Sequence, residues 1–456
     1  MSGQRSIEPF SGPAGGTGSK QKKPGGNQMS QNKRRGRRLS LLAGSSLVVS
    51  LSVFAGAGLA PTRALAANEC GDPSANGPAA DTLVCPPGTY PTGIDYSTTS
   101  NGDLTVVLRN RVDTGTSDTA GTGPVVMTGK AGEDMSLIRE DTVGGGDPRI
   151  VNTAGAGRAI DVSTLGDGNV LVNLTDGDPT AGEASTVAPM VITGSTDGIR
   201  ANAQGTGNVN VTIASTGTQS GTNHVKSTIR AGSGGSGIVA RTTSGAINVD
   251  ASGVNFTNSV PASGNGMIDA QSTTGNIAVT TGTGFANFSR LFGVRAQTGG
   301  AGSVSVTTNS NMVASAGAAI DVATQSGQIT VNAASEIFGT SSGPVGGIRA
   351  ISTGGGPIVV NTRGLSFGST DRALSAVTSG GNGSVTITAD GNISGRLIGI
   401  YAETAGTGAL TITARGSVQA GNLAGAAAIQ ARSGTGLLRI DLDNSTGSTQ
   451  QVTATT

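Results

Sequence analysis

The chain is poor in the residues that most enzymes use. Its 456 residues hold no Trp, one His, two Cys and 2% aromatics, and only 12% are charged. One histidine excludes a His-based metal set, and neither H-x-x-x-H nor C-x-x-C spacing occurs. No G-x-S-x-G run stands between a strand and a helix, the setting a nucleophile elbow needs, because no helical period follows one. So few aromatics provide no stacking platform for bases. A compact globule needs more large side chains than this, whereas the low charge argues against ordinary disorder. The 76 glycines have to be explained by architecture.

That architecture is written as a repeat. Ten times a small residue, an aliphatic anchor, any residue and then Ala or Val recur. The anchors are Ile160, Ile199, Ile238, Ile268, Val294, Ile320, Ile348, Leu374, Ile400 and Ile429. A second phrase, G-x-Φ-x-Φ with Φ apolar, follows 9 to 11 residues later. Its glycine is invariant, from Gly168 and Gly207 through Gly275 and Gly327 to Gly436. Anchors are spaced by 39, 39, 30, 26, 26, 28, 26, 26 and 29 residues.

A period of this size marks stacked units. Within each phrase the apolar period is two, so each phrase is a short strand, cut by Gly, Asn and Ser turns. No sustained helical period occurs. A unit of about 26 residues with two or three strands and no helix is one coil of a parallel β-helix. The fold class is therefore all-β, a right-handed parallel β-helix over 101–445. It has about 13 coils and is about 60 Å long at the usual strand spacing.

The invariant Gly fits a corner needing positive φ or close backbone packing. Third strands are expected at Val254 to Phe256, Leu365 to Phe367 and around Val418. Gly102 to Val106 and Gly123 to Met127 read as earlier copies of the second phrase. Each 39-residue step holds either one coil with an outward loop or two short coils.

Neighbouring side chains on a strand point to opposite faces. The residue after each anchor therefore faces outward. Four consecutive coils give Asp269, Arg295, Asp321 and Arg349 there, which predicts a surface charge ladder with each pair contributing about 0.2–1 kcal/mol.

The amino end reads as an export signal. Residues 1–32 are a polar extension. In 33–66, Lys33 to Arg38 leads into an apolar stretch from Leu39 to Ala60, then Ala64-Leu65-Ala66. A basic start, an apolar middle and an A-x-A site place cleavage after Ala66. A retained membrane anchor is the rival reading, weakened by the Gly and Ser interruptions. Residues 1–66 carry ten Lys/Arg and one Glu, leaving 19 Lys/Arg against 27 Asp/Glu beyond them. The remainder is thus acidic, which speaks against nucleic acid as a partner.

Cys70 and Cys85 follow the cleavage site, and their spacing in a Pro/Gly-rich segment predicts a disulfide made in an oxidising compartment. They lie in 67–100, read as a cap over the first coil, and 446–456 forms a tail.

This arrangement resembles the passenger region of bacterial autotransporters. It combines an exported chain, an early Cys pair, Gly93-Ile-Asp-Tyr96 followed by Asp103 to Val107, and Gly/Thr/Asn/Val-rich coils. The resemblance covers about residues 33–445. It implies a β-helical passenger displayed or released by a Gram-negative bacterium, with a host or neighbouring-cell surface glycan or protein as partner. Such proteins cross the outer membrane through a C-terminal barrel. This sequence carries its coil repeat to Ile440 and ends Gln450 to Thr456, which leaves no room for one. The expectation is a truncated or split passenger, one served by a separate outer-membrane translocator, or one that stays in the periplasm. An exposed, self-associating edge is expected near Leu438–Leu442.

No catalytic constellation and no cofactor or metal site is expected. His224 sits in a polar loop. The adjacent acids Glu133-Asp134 and Glu140-Asp141 are the only carboxylate pairs that a polysaccharide-cleaving β-helix could use. The leading expectation is a non-catalytic passenger acting in adhesion or surface interaction. Its contact regions would be the charge column and the loops Thr175–Pro189 and Thr216–Gly235. The alternatives are a polysaccharide-active lyase or hydrolase and a purely structural envelope protein.

Overall fold

A computed structural model describes residues 69–455, apart from 74–79, 98–101, 118–119, 141–148, 154–156, 176–189, 214–226, 257–264, 283–286, 290, 310, 315, 340–342, 368–370, 422 and 444–451. The export segment with Ala66, the histidine and most of both candidate loops lie outside the described residues.

Every regular element among the described residues is a strand. Pairing is parallel throughout, except for a hairpin of Gly115–Ser117 with Ala120–Gly121 and one isolated bridge. The anchor phrases stack as one thirteen-stranded sheet, face A. The G-x-Φ-x-Φ phrases stack as a second thirteen-stranded sheet, face B. The third side, face C, is two six-stranded sheets that meet between Val254–Phe256 and Asn287–Ser289. The architecture is a parallel β-solenoid. The expected third strands are present, as Val254–Phe256, Leu365–Phe367 and Val418–Ala420.

Register follows the anchors. Ile160 pairs with Ile199, and Ile199 with Ile238. Each 39-residue step is therefore a single rung on face A, which selects one coil with an insertion. Anchors and the Ala or Val two residues on are fully buried, as are the inward pairs of face B such as Ile329 and Val331. Identical small aliphatics stack on themselves, so a core forms without large side chains.

Two placements differ from the sequence reading. Val125 pairs with Ile160 and belongs to face A, while Met135 pairs with Val170 on face B. The phrase at 123–127 is thus an anchor phrase; period-two alternation is the same on both faces and does not tell them apart. Also, Asp81–Cys85 and Ile94–Tyr96, within the segment read as a cap, supply the first strands of faces B and A.

The invariant glycines have ordinary φ; the residues with positive φ among those described are elsewhere, such as Gly93 and Gly355. Close approach is what requires them. A Cβ on Gly275 would lie 1.8 Å from the carbonyl oxygen of Gly245 in the coil before, and one on Gly207 as close to that of Gly168.

A buried hydroxyl recurs four residues after the anchor in nine of the ten copies, as in Thr242, Ser272 and Thr324. Thr324 Oγ1 donates to the Gly302 carbonyl at 3.0 Å and accepts the Gly327 N–H at 3.1 Å. Thr242 does the same with Gly207 and Gly245. The hydroxyl satisfies corner groups that sheet pairing leaves out.

The start of the solenoid is closed by the Cys70–Cys85 disulfide, with a Cα separation of 4.6 Å. Buried Tyr96 sits beneath it, donating to the Gly71 carbonyl at 3.0 Å and accepting the Cys70 N–H at 3.1 Å. At the other end Leu438–Leu442 is the terminal strand of face B, and the neighbouring Leu437 is 69% exposed.

Candidate functional site

Among the described residues, face A carries ion pairs that join successive rungs. Its strands expose two outward positions each, one and three residues after the anchor. In-register pairing turns these positions into columns. Asp269 is paired in register with Arg295, Arg295 with Asp321, and Asp321 with Arg349. The second column places Arg241 beside Gln271 and Gln271 beside Gln297.

The four predicted residues gather into two clusters instead of one even ladder. In the first, Arg295 closes a two-point fork on Asp269, Nε to Oδ1 at 2.8 Å and Nη2 to Oδ2 at 2.5 Å. Arg241 approaches from the opposite side. Its Nη2 bonds Oδ2 of Asp269, and its Nη1 donates to the Asp269 carbonyl at 2.6 Å. Gln271 adds a bond to Oδ1 at 3.0 Å. The Asp269 side chain is only 5% exposed, so this column position is outward but covered. Burial alone would raise its pKa; the hydrogen bonds and charges of Arg295 and Arg241 outweigh it, and the carboxyl is held below its ordinary value. The Arg295 guanidinium also lies 4.4 Å above the Phe292 ring.

In the second cluster, Arg349 Nη1 donates to Asp321 Oδ1 at 2.7 Å and Gln297 Nε2 to Oδ2 at 3.2 Å. Arg295 feels Asp321 through its charge, but its fork is turned to Asp269.

Further along the same face, Tyr401 donates its hydroxyl to Glu403. Arg372 lies 3.9 Å and Arg432 5.9 Å from the centre of its ring. Burial, then the Glu403 contact, raises the Tyr401 pKa. Toward the start, Arg158 bridges Asp161 at 2.8 Å and Asp197 at 3.4 Å, and Arg200 reaches Asp161 at 3.8 Å.

Sequence reasoning missed Arg241, and it missed Arg372, Glu403 and Arg432 around the outward Tyr401. Reading the second outward column beside the first finds Arg241, Glu403 and Arg432. The net acidic count beyond residue 66 also averages away a local stripe of arginines.

The carboxylate pairs considered for glycan cleavage have structural partners. Glu133 accepts the Lys130 N–H at 2.6 Å. Asp134 accepts the Asn169 N–H at 2.6 Å. Glu140 pairs with Arg109 at 2.9 Å; Asp141 lies outside the described residues. Among the described residues no group of three or more His, Cys, Asp or Glu is placed to hold a metal. No helix among them is long and apolar enough to cross a membrane, which leaves open a crossing by strands.

No family model, curated protein or solved structure matches the chain.

Proposed function

We propose that this chain is an exported, non-catalytic β-helix of the autotransporter passenger type, acting at or beyond the cell surface in adhesion or surface interaction. The observation that carries the reading is the division of labour within each coil. Inward positions are uniform small aliphatics, while the charged and hydrogen-bonding groups stand in register on a rigid outer face. A stiff solenoid with repeated outward groups suits many weak contacts made at once. The signal-like segment ending at Ala66 and the Cys70–Cys85 bridge support export to an oxidising compartment. The partner in this reading is a glycan or protein of a host or neighbouring cell. In this reading a separate outer-membrane translocator exports the chain.

Expression of the full chain in a Gram-negative host, with fractionation and amino-terminal sequencing, tests the proposal. The expected product begins at Ala67 and is digested by protease added to intact cells or found in the medium. A cytoplasmic protein retaining residues 1–66 would overturn it.

A further inference from the structure

The acids and bases of face A lie at different depths. The Asp269 and Asp321 side chains are 5% and 19% exposed, whereas those of Arg295 and Arg349 are 30% and 40% exposed. Reach explains this. Aspartate is short and stays against the sheet; arginine is long and folds its guanidinium over the carboxylate of the adjacent rung. Around Tyr401 the same layering recurs, with Arg372 and Arg432 over the ring that holds Glu403.

From Arg241 to Arg432 these outward positions carry four arginines, Arg241, Arg295, Arg349 and Arg432, and three acids, Asp269, Asp321 and Glu403; Arg372 adds a fifth guanidinium on the same face, two residues before its anchor. The solvent-facing layer is therefore cationic, on a chain that is acidic beyond residue 66. Over the same rungs, the outward positions of face B are mostly Thr, Asn and Ser, including Thr386, Thr388, Thr411 and Thr413.

Arg349 keeps spare donors. It uses Nη1 on Asp321, and a guanidinium has five N–H groups. Arg241 and Arg432 lie seven rungs apart, or about 34 Å at the strand spacing. A small anion meets one or two of these groups; only a linear polyanion meets them all. The Phe292 and Tyr401 rings lie under arginines, so they offer no free faces on which bases could stack.

We propose that face A binds a linear polyuronate, an acidic polysaccharide with one carboxylate per sugar ring, laid along the solenoid axis. Arg241, Arg295, Arg349, Arg372 and Arg432 donate to its carboxylates, in the planar geometry that favours arginine over lysine. The ring length of such a polymer is comparable with the rung spacing, so the contacts repeat without bending either partner. The inference rests on the surface-interaction reading and names its partner class.

The test measures binding of the purified full chain to polygalacturonate, its fully methyl-esterified form and a single-stranded DNA, at low and high salt. The double variant Arg349→Gln/Arg432→Gln is compared with Arg439→Gln on face B. Polygalacturonate is expected to bind and to weaken as salt rises. The double variant should stay folded, with only a small fall in melting temperature from its lost surface pairs, and bind about tenfold more weakly, the loss of two modest contacts. The ester and DNA should bind poorly, and Arg439→Gln should behave as wild type.

Equal binding of the ester, no effect of salt, or wild-type affinity in a folded double variant would overturn the proposal. Tighter binding of DNA would assign the face to nucleic acid and overturn it as well. The ester and salt arms need no variant, so misfolding of the double variant does not shelter the idea. Release of new sugar ends would sink the non-catalytic reading and leave the polyuronate site standing; surface location without polyuronate binding would do the reverse.

Discussion

Asp269 is the side chain on which face A is most dependent, because two guanidiniums and an amide converge on one covered carboxylate. Asp269→Asn removes the charge and leaves Arg241 and Arg295 without their counter-ion. Loss of one partner from a buried pair costs about 3–5 kcal/mol; both arginines here still reach water, so about 2 kcal/mol is expected at neutral pH. The carboxyl is held below its ordinary value. Its contribution is therefore full above the unfolded value of about 3.9 and disappears as pH falls through the lower folded value. Melting temperatures of wild type and Asp269→Asn should differ at pH 7 and converge in that acid window; a constant gap would contradict the assignment.

The hydroxyl of Thr324 is a second residue-scale case. Thr324→Val keeps the shape but strands the Gly302 carbonyl and the Gly327 N–H, at a cost of about 1–3 kcal/mol by chemical denaturation.

Each coil turns its corner against the one before it, and there the backbone leaves no space for a side chain. Gly275→Ala places a methyl where the Gly245 oxygen already is. The backbone cannot yield as a flexible side chain could, so destabilisation of at least about 3 kcal/mol is expected. Gly299→Ala is the contrast, since its nearest neighbour is the Thr273 oxygen at 3.2 Å. Its melting temperature should shift far less, and equal shifts would count against the corner argument.

This element level is also where the sequence was most legible. Anchor spacing and strict alternation determine which residues share a column, so register from Ile160 to Ile429 could be read without coordinates. The face to which Val125 belongs could not, because alternation looks the same on faces A and B. Nor could the splitting of the charge column into clusters. Arg295 has an aspartate on each neighbouring rung, and the choice of Asp269 depends on side-chain conformation and on the Phe292 ring beneath it. The hydroxyl four residues after the anchor was readable in principle, since it recurs as regularly as the glycine.

At the scale of the molecule, stability is a sum of rung-on-rung contacts, and the first rung is the one with a covalent tie. Reduction of Cys70–Cys85 should lower stability by about 3 kcal/mol for a loop of this length. The loss should be local. Amide exchange is expected to quicken first in Asp81–Cys85 and Ile94–Tyr96, with Ile320–Thr324 unchanged. Uniform quickening along the chain would mean that the solenoid unfolds as one unit.

Alternation of charge along face A carries a consequence for how such a chain could be lengthened or shortened. Excising Val294 to Ala319 removes one anchor step, and every strand still finds a partner, but Asp321 then lands beside Asp269. Excising Val294 to Gly347 removes two steps and sets Arg349 in the place of Arg295. The main chain counts in single turns and the ion pairs count in twos. The longer deletion should thus give the more heat-resistant protein, and size changes that keep this stripe intact should come in even numbers.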